Sequence, residues 1–124
     1  MRKIINVHLP EDCGNAPRKL LLKDFIQTFF AKDEKVFAYL VDDIKWDIVG
    51  KRHISGKNDF WDALNSILSD DINELWISNI ITHGNTASVN GWALCSFSKF
   101  EFCHVFVFTS SNKLKEIKTF LIYL

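Results

Sequence analysis

The sequence predicts an α+β domain in which three helices pack on one face of a mostly antiparallel sheet. Before residue 70, apolar residues recur in three segments at the spacing of amphipathic helices. After Asp70–Asp71 they alternate with a period of two, as in strands, to residue 123. The chain has 124 residues, and we expect one domain, 1–124, that buries about two thirds of its unfolded surface.

The three predicted helices have recognisable starts. The first covers residues 16–31, with Asn15 as its cap and Pro17 in its first turn. Asp33 caps a short second helix, and Ser55–Gly56 opens the third. Their apolar stripes consist of Leu21, Leu22, Phe25, Ile26 and Phe29 in the first helix, Val36, Phe37 and Leu40 in the second, and Phe60, Trp61, Leu64, Ile67 and Leu68 in the third.

The predicted strands follow from alternation. Ile44, Trp46 and Ile48 share one face of a strand that ends at Gly50, and an extra N-terminal strand is expected over residues 3–9. A meander of four strands follows the third helix. Its strands lie near 74–83, 86–97, 100–109 and 113–123, with turns at Gly84–Asn85, Ser98–Lys99 and Ser110–Asn112.

The third meander strand is apolar on both faces, although a strand with one face in water alternates apolar with polar residues. The even positions are Phe100, Phe102, His104, Phe106 and Phe108, and the odd positions include Cys103, Val105 and Val107. The closing run Phe120–Leu124 is also apolar on both sides. We expect a core or pocket to cover one face and a partner subunit to cover the other.

The apolar face that the core does not cover predicts a homodimer, in which two subunits associate through the outer faces of their sheets. Its outward apolar set is Val105, Val107, Phe120 and Ile122. In a monomer this set would exceed the few hundred Å² of apolar patch that is usual. We therefore expect a two-fold interface that buries more than ~1,000 Å².

Composition argues against several function classes. The charges of the fifteen basic and fifteen acidic residues cancel, so the sequence has no excess of positive charge with which to bind nucleic acid. The apolar runs are shorter than a membrane span, and the first residues lack a signal-peptide core, so we expect a cytoplasmic protein without a membrane partner. Neither metal-ligand spacing nor a glycine-rich phosphate loop is found, so no metal and no cofactor is predicted.

Three cysteines without a secretory context predict reduced thiols. Cys13 precedes the expected start of the first helix, where a thiol pKa can be lowered, but a structural thiol is the favoured interpretation. Cys95 and Cys103 lie on adjacent predicted strands and could approach each other. We expect both to be reduced.

The order of elements and five short strings resemble the nuclear transport factor 2-like superfamily, also called SnoaL-like. The strings are Phe30–Asp33, Tyr39–Gly50, Ile54–Lys57, Phe102–Phe108 and Lys113–Ile117. The resemblance implies a cone-shaped fold with a strongly curved sheet. It does not select a function, because such proteins include isomerases, dehydratases, polyketide cyclases, hydrolases and non-catalytic binding domains.

Ketosteroid isomerase, an enzyme of this fold, gives a test of individual positions. Its chemistry needs a carboxylate base, with a Tyr and a protonated Asp that donate to the oxyanion. By the resemblance, the Tyr position falls on Phe25, the base position on Ile48 and the acid position on His104. Asp47, next to the base position, is expected on the opposite strand face. Steroid isomerisation is therefore not expected.

His104 is the leading candidate site residue, because the resemblance puts its strand face on the concave side. Three interpretations stay open: a buried histidine satisfied by one hydrogen bond, a contact to a ligand, and a general acid/base with an ordinary pKa near ~6.5. The expected ligand-binding set consists of Phe25, Phe29, Trp46, Ile48, His104, Phe106, Ile117 and Thr119, the last two by the parity that the resemblance implies.

The remaining polar and aromatic residues have simpler interpretations. His83–Gly84 is favoured as a turn, and Asp42–Asp43 as solvated acids in a turn. Trp61 is expected to pack a helix on the sheet. The sequence does not assign the side chains of Trp76 and Trp92 to a face of the sheet, although both could lie on the outer face.

The predicted function is binding of a small apolar organic molecule in an internal cavity of a homodimer. One alternative is an isomerase, dehydratase or cyclase that uses His104 as acid/base. The other is a non-catalytic interaction module whose interior is filled by side chains.

Overall fold

The computed structural model describes residues 5–10 and 16–124. The α+β prediction is confirmed, with the helices on one face of a mixed, mostly antiparallel sheet. The first helix begins at Pro17, as expected for proline in a first turn. The cap predicted at Asn15 and the thiol of Cys13 lie outside the described residues.

The elements follow the predicted order, with one addition. They are β1 (Asn6–His8), α1 (Pro17–Phe30), a 3₁₀ helix (Glu34–Tyr39), β2 (Leu40–Ile48), β3 (Arg52–Ser55), α2 (Lys57–Ile67), β4 (Ile72–His83), β5 (Thr86–Cys95), β6 (Lys99–Phe108) and β7 (Leu114–Tyr123). Asp33 caps the 3₁₀ helix by accepting a hydrogen bond from the backbone N–H of Lys35. Strand β3 was not predicted.

The sheet has seven strands in the order β1-β4-β5-β6-β7-β2-β3. Strands β4 to β7 form the antiparallel meander, and β3 pairs antiparallel with β2. The pairs β1–β4 and β2–β7 are parallel. Strand β2 therefore lies beside the last strand of the meander, although more than sixty residues separate them.

The position expected for Asp42–Asp43 is wrong in one respect. Both residues lie within β2 rather than in a turn. Leu40 pairs with Leu114 and Lys45 with Glu116, so β2 bulges between these two pairs. The bulge leaves both carboxylates exposed, and Asp42 lies 3.2 Å from the ammonium of Lys57.

Irregularities in β4 bend the sheet. The β4–β5 register shifts between Ile77 and Asn79, and such bulges bend and twist a strand. Gly91 of β5 lies opposite this bulge, where an added Cβ would be 1.8 Å from the carbonyl oxygen of Trp76. Only glycine allows this close approach.

The core lies between the helices and the concave face of the sheet. All five even positions of β6 are at most 3% exposed, as the alternation predicts. Phe25 of α1 packs on Phe106, and Phe30 packs on Phe102, with ring centroids 5.6 and 4.8 Å apart. The first helix is thus held to the sheet largely by aromatic rings.

The two described cysteines cannot bond to each other. Cys103 pairs with Asn90 on β5, five positions from Cys95, which corresponds to about 16 Å along a strand. A disulfide requires Cα atoms within about 7 Å. Both thiols are free, and burial raises the pKa of each.

Candidate functional site

His104 lies at the centre of the concave face, in the middle of β6. Its side chain is 1% exposed. The rings around it belong to Phe29 and Phe30 of α1 and to its strand neighbours Phe102 and Phe106, with centroids 5.0 to 5.8 Å away. The imidazole is therefore a polar group enclosed by aromatic side chains.

Thr119 is the hydrogen-bond partner of His104. The two residues face each other across β6 and β7, and Nδ1 of His104 lies 2.7 Å from Oγ1 of Thr119. The indole Nε1 of Trp46 donates to the same oxygen at 2.8 Å. Trp46 reaches it because β2 runs parallel to β7, with Ile48 paired to Thr119. Three adjacent strands thus form one buried polar chain.

The other ring nitrogen of His104 is unpaired. Nε2 is buried and has no hydrogen-bond partner among the described residues. Burial also lowers the pKa of His104 from 6.5 to about 3. The imidazole is therefore neutral near pH 7, and it can take part in a hydrogen bond without carrying a charge.

The residues predicted to line a cavity lie together in the interior. Phe25, Phe29, Trp46, Ile48, His104, Phe106, Ile117 and Thr119 are each at most 2% exposed. Phe29 joins the two halves of this set, because its ring lies 5.0 Å from His104 and 5.5 Å from Trp46. Trp46 packs in turn on Phe60 of α2, at 4.7 Å. These side chains are in contact with one another and occupy the concave side.

Two members of this interior were missing from the predicted site. Phe60 belongs to the apolar stripe of α2, and Phe30 follows Phe29 at the end of α1. The stripe pattern indicated that Phe60 is buried, but not that it contacts Trp46. Phe30 lies four residues after Ile26 and eight after Leu22, so helical spacing indicated that it is buried, but not that its ring contacts His104.

The outer face of the sheet carries the apolar residues expected there. Val105 is 36% exposed, Phe120 41% and Ile122 59%. A groove of about 470 Å³ is lined by Val105 and Val107 together with charged residues of β2 and β7. A second groove, of about 320 Å³, is lined by Phe120, Ile122 and parts of β5 and β6.

Trp76 and Trp92 also lie on the outer face, where they are cross-strand partners. Their rings stack with centroids 5.2 Å apart. His8 of β1 stacks on Trp76 at 3.7 Å, and the ammonium of Lys99 lies 4.4 Å from the centre of a Trp92 ring. These four stacked side chains therefore connect four neighbouring strands, and they are not part of the interior site.

The other candidates have structural roles. The carbonyl of His83 accepts a hydrogen bond from the Thr86 hydroxyl at 2.8 Å across the β4–β5 turn, which agrees with a turn residue. Trp61 packs on Phe37 of the 3₁₀ helix at 5.4 Å, so this contact joins two helices rather than a helix and the sheet. Asp47 is on the outer face, 3.1 Å from His53.

Within residues 5–10 and 16–124, no three His, Cys, Asp or Glu side chains are grouped as a metal site. In the same part of the chain, none of the helices has the length and apolar character needed to cross a membrane.

No protein-family model matches the sequence, and a search of curated proteins gives no match. Solved structures do match. SalBIII, an epoxide hydrolase/cyclase-like enzyme with a role in pyran ring formation in the polyether salinomycin, superposes with a TM-score of 0.73 at 15% identity, over 85% of this chain and 90% of its own.

Two further matches have the same architecture. A nuclear transport factor 2-like protein of unknown function from Cytophaga hutchinsonii has a TM-score of 0.64 and 22% identity, over 83% of this chain and 97% of its own. A candidate ketosteroid isomerase from Kribbella flavida has a TM-score of 0.72 and 16% identity, over 85% and 77%. At these identities the matches establish the fold and leave the activity open.

Proposed function

For a chain that has the nuclear transport factor 2-like cone fold, we propose that its function is to bind small, neutral organic molecules between α1 and the concave face of the sheet. The observation that carries this proposal is Nε2 of His104, a buried polar atom without a partner in an aromatic interior. An unpaired buried polar group costs about 1–3 kcal/mol. A ligand that pairs with Nε2 recovers this free energy.

The surroundings of His104 determine the kind of molecule. The expected contact residues are aromatic or aliphatic apart from the His104–Thr119 pair, and a mostly apolar site with one or two polar groups is typical of small-molecule sites. Phe29 contacts both His104 and Trp46. A ligand at Nε2 would have to displace one of the rings that surround His104, among which Phe29 lies 5.0 Å away.

Thermal shift measurements with a library of neutral apolar molecules test the proposal, since a ligand that binds only the folded state raises the melting temperature. We expect a subset of compounds to stabilise the native protein and His83→Gln, and to lose their effect on His104→Phe. His83 is an exposed histidine outside the interior. Equal shifts for His104→Phe, or no shift with any compound, would contradict the proposal.

The enzymatic alternative has less support. General acid catalysis by histidine uses the imidazolium form, but burial lowers the pKa of His104 to about 3, so the side chain is neutral at pH 7, and a base of such low pKa takes up a proton poorly. Its Nδ1 is also occupied by Thr119. A hydrogen-bonding role for Nε2 agrees with both observations.

We also propose that two copies of the chain associate through the outer sheet face, because Val105, Phe120 and Ile122 are substantially exposed there. A two-fold axis would apply the same patch to itself. The side chains of Lys45, Asp47, Glu116 and Lys118 line or flank the larger groove. Both charge signs are present, so the patch can be complementary to its own copy.

Light scattering at micromolar concentration tests this association. We expect a dimer for the native chain and for Leu20→Lys, which changes an exposed apolar residue on α1. Val105→Lys and Phe120→Lys should give monomers with unchanged helix content. A native monomer would contradict the dimer, and capture of a different protein by this face would favour the interaction module. We also propose a cytoplasmic location, because an odd number of cysteines without a secretory context is typical of reduced thiols.

A further inference from the structure

Thr119 has a restricted choice of hydrogen bonds. A hydroxyl has one proton to donate and two lone pairs with which to accept. The indole N–H of Trp46 can only donate, so Oγ1 of Thr119 is the acceptor in that contact. Within the described chain, its other hydrogen bond is the one to Nδ1 of His104.

Two arrangements of the protons are then possible at the His104–Thr119 contact. If Nδ1 carries the proton, the Thr119 hydroxyl accepts twice, its own proton has no acceptor, and Nε2 is a second unpaired group. If Nδ1 accepts from Thr119, only the N–H at Nε2 is left unpaired. The second arrangement leaves one buried group fewer without a hydrogen-bond partner. This difference favours it roughly tenfold to a hundredfold.

The nearby rings do not change this result. Phe29, Phe30, Phe102 and Phe106 surround the imidazole, and an aromatic face is only a weak acceptor for an N–H. The N–H at Nε2 is therefore left with an unused capacity to donate.

We propose that Thr119 is a positioning residue that holds His104 as an Nε2–H donor, and that the interior consequently selects neutral ligands with an acceptor oxygen, such as ketones, aldehydes and ethers. This inference rests on the proposed binding of small molecules at His104. It adds the direction of the hydrogen bond and hence the chemical class of the ligand.

The same chemistry disfavours other ligand classes. An alcohol oxygen can accept from Nε2, but its own proton then has no acceptor among the aromatic rings. A carboxylate or an ammonium group would bring an unpaired charge into the interior, where neutral His104 offers no counter-charge. A carbonyl oxygen accepts one hydrogen bond and brings no proton.

The first experiment concerns the protein without any ligand. Long-range ¹H–¹⁵N correlation spectra of the labelled protein at pH 7 distinguish a protonated from an unprotonated ring nitrogen. We expect the His104 proton on Nε2 in the native chain and in Thr119→Ser, and a mixture of both tautomers in Thr119→Val. A native His104 that is protonated on Nδ1 would overturn the role of Thr119. The native spectrum decides this point even if Thr119→Val fails to fold.

The second experiment measures ligand preference with matched probes of two sizes. The probes are cyclohexanone, cyclohexanol and methylcyclohexane, and β-tetralone, 2-tetralol and tetralin. Binding is followed by the NMR shifts of the His104 Nε2 proton and of the Trp46 indole proton. We expect the ketone in at least one series to bind about tenfold or more tightly than its alcohol and its hydrocarbon.

The outcomes separate the two proposals. Equal affinity of ketone and alcohol, or a preference for the alcohol, would overturn the ligand class and leave small-molecule binding in place. If no probe of either series binds, the proposed function is overturned and the ligand class with it. The tautomer of His104 is read from the first experiment in either case.

Discussion

Nδ1 of His104 and Oγ1 of Thr119 lie 2.7 Å apart on neighbouring strands, and both side chains are 1% exposed. With Trp46, they form a hydrogen-bonded chain in an interior that otherwise consists of apolar side chains. A chain of this kind is sensitive to the loss of any member, because each member satisfies another.

The buried imidazole makes stability depend on pH. The folded pKa of His104 is about 3, against 6.5 in the unfolded chain. Below pH 6.5 the unfolded state binds a proton that the folded state does not, so stability falls until about pH 3. From pH 7.5 to 5 we expect a loss of about 2 kcal/mol from this group. Urea unfolding at several pH values measures it. The loss should disappear in His104→Phe and persist in His83→Gln.

Thr119 is expected to matter more for stability than His104. Thr119→Val removes the acceptor of Trp46 and the donor to His104, so two buried groups lose their partner. We expect a cost of about 2 kcal/mol or more in urea unfolding. His104→Phe removes one unpaired group and creates another at the Thr119 hydroxyl, so its effect at pH 7 should stay within about 1 kcal/mol.

A matched control for Thr119→Val is Thr82→Val, at a half-buried threonine of β4. The Thr82 side chain makes no hydrogen bond to the described part of the chain, so we expect little change. If His104→Phe destabilised the protein more than Thr119→Val does, the hydrogen-bond assignment would be wrong.

The protein should not isomerise β,γ-unsaturated ketosteroids above background. Phe25 and Ile48 stand where the resemblance implies a tyrosine and a carboxylate base, and both are buried. Asp47, the carboxylate next to Ile48 in sequence, pairs with His53 on the outer face. The absorbance of the conjugated product follows the reaction. Turnover that is lost in His104→Ala would contradict this expectation and would imply a different base.

Gly91 should be the least replaceable glycine in the described part of the chain. An alanine Cβ there would lie 1.8 Å from the backbone oxygen of Trp76, and a backbone atom cannot move aside as a side chain can. We expect Gly91→Ala to cost about 3 kcal/mol or more. Gly84→Ala, in a turn with φ of +58° and open space around it, should cost about 1–2 kcal/mol. Urea unfolding of both variants makes the comparison, and equal costs would refute the account of the bulge.

Local alternation with a period of two predicted the faces of β6, because it assigns each side chain to one face, whereas the faces of β7 were implied by the resemblance. Strand β3 escaped prediction because it has four residues, of which only Ile54 is buried. The bulge that turns Asp42 and Asp43 outward also left no local signal.

The polar chain at the site could be predicted only in part. The parity of Thr119 and Trp46 was expected, and the outer-face position of Asp47 is confirmed. The hydrogen bond between Trp46 and Thr119, however, joins residues 73 positions apart. It depends on the parallel pairing of β2 with β7, and no short segment encodes that pairing.

The same pairing has a consequence for the order of folding. During synthesis, the β2–β3 hairpin emerges long before β7, the strand against which β2 is completed. Until β7 has formed, the apolar side of β2, which carries Ile44, Trp46 and Ile48, can pack only on the helices. The helices in turn lack the completed sheet on which they pack in the folded protein. Non-local strand pairing is slow because loop closure precedes the gain in contacts. We therefore expect joining of β2 to β7 to be a late step of folding, and the protection of the Trp46 indole N–H, which donates to Thr119, to report it in pulsed hydrogen exchange.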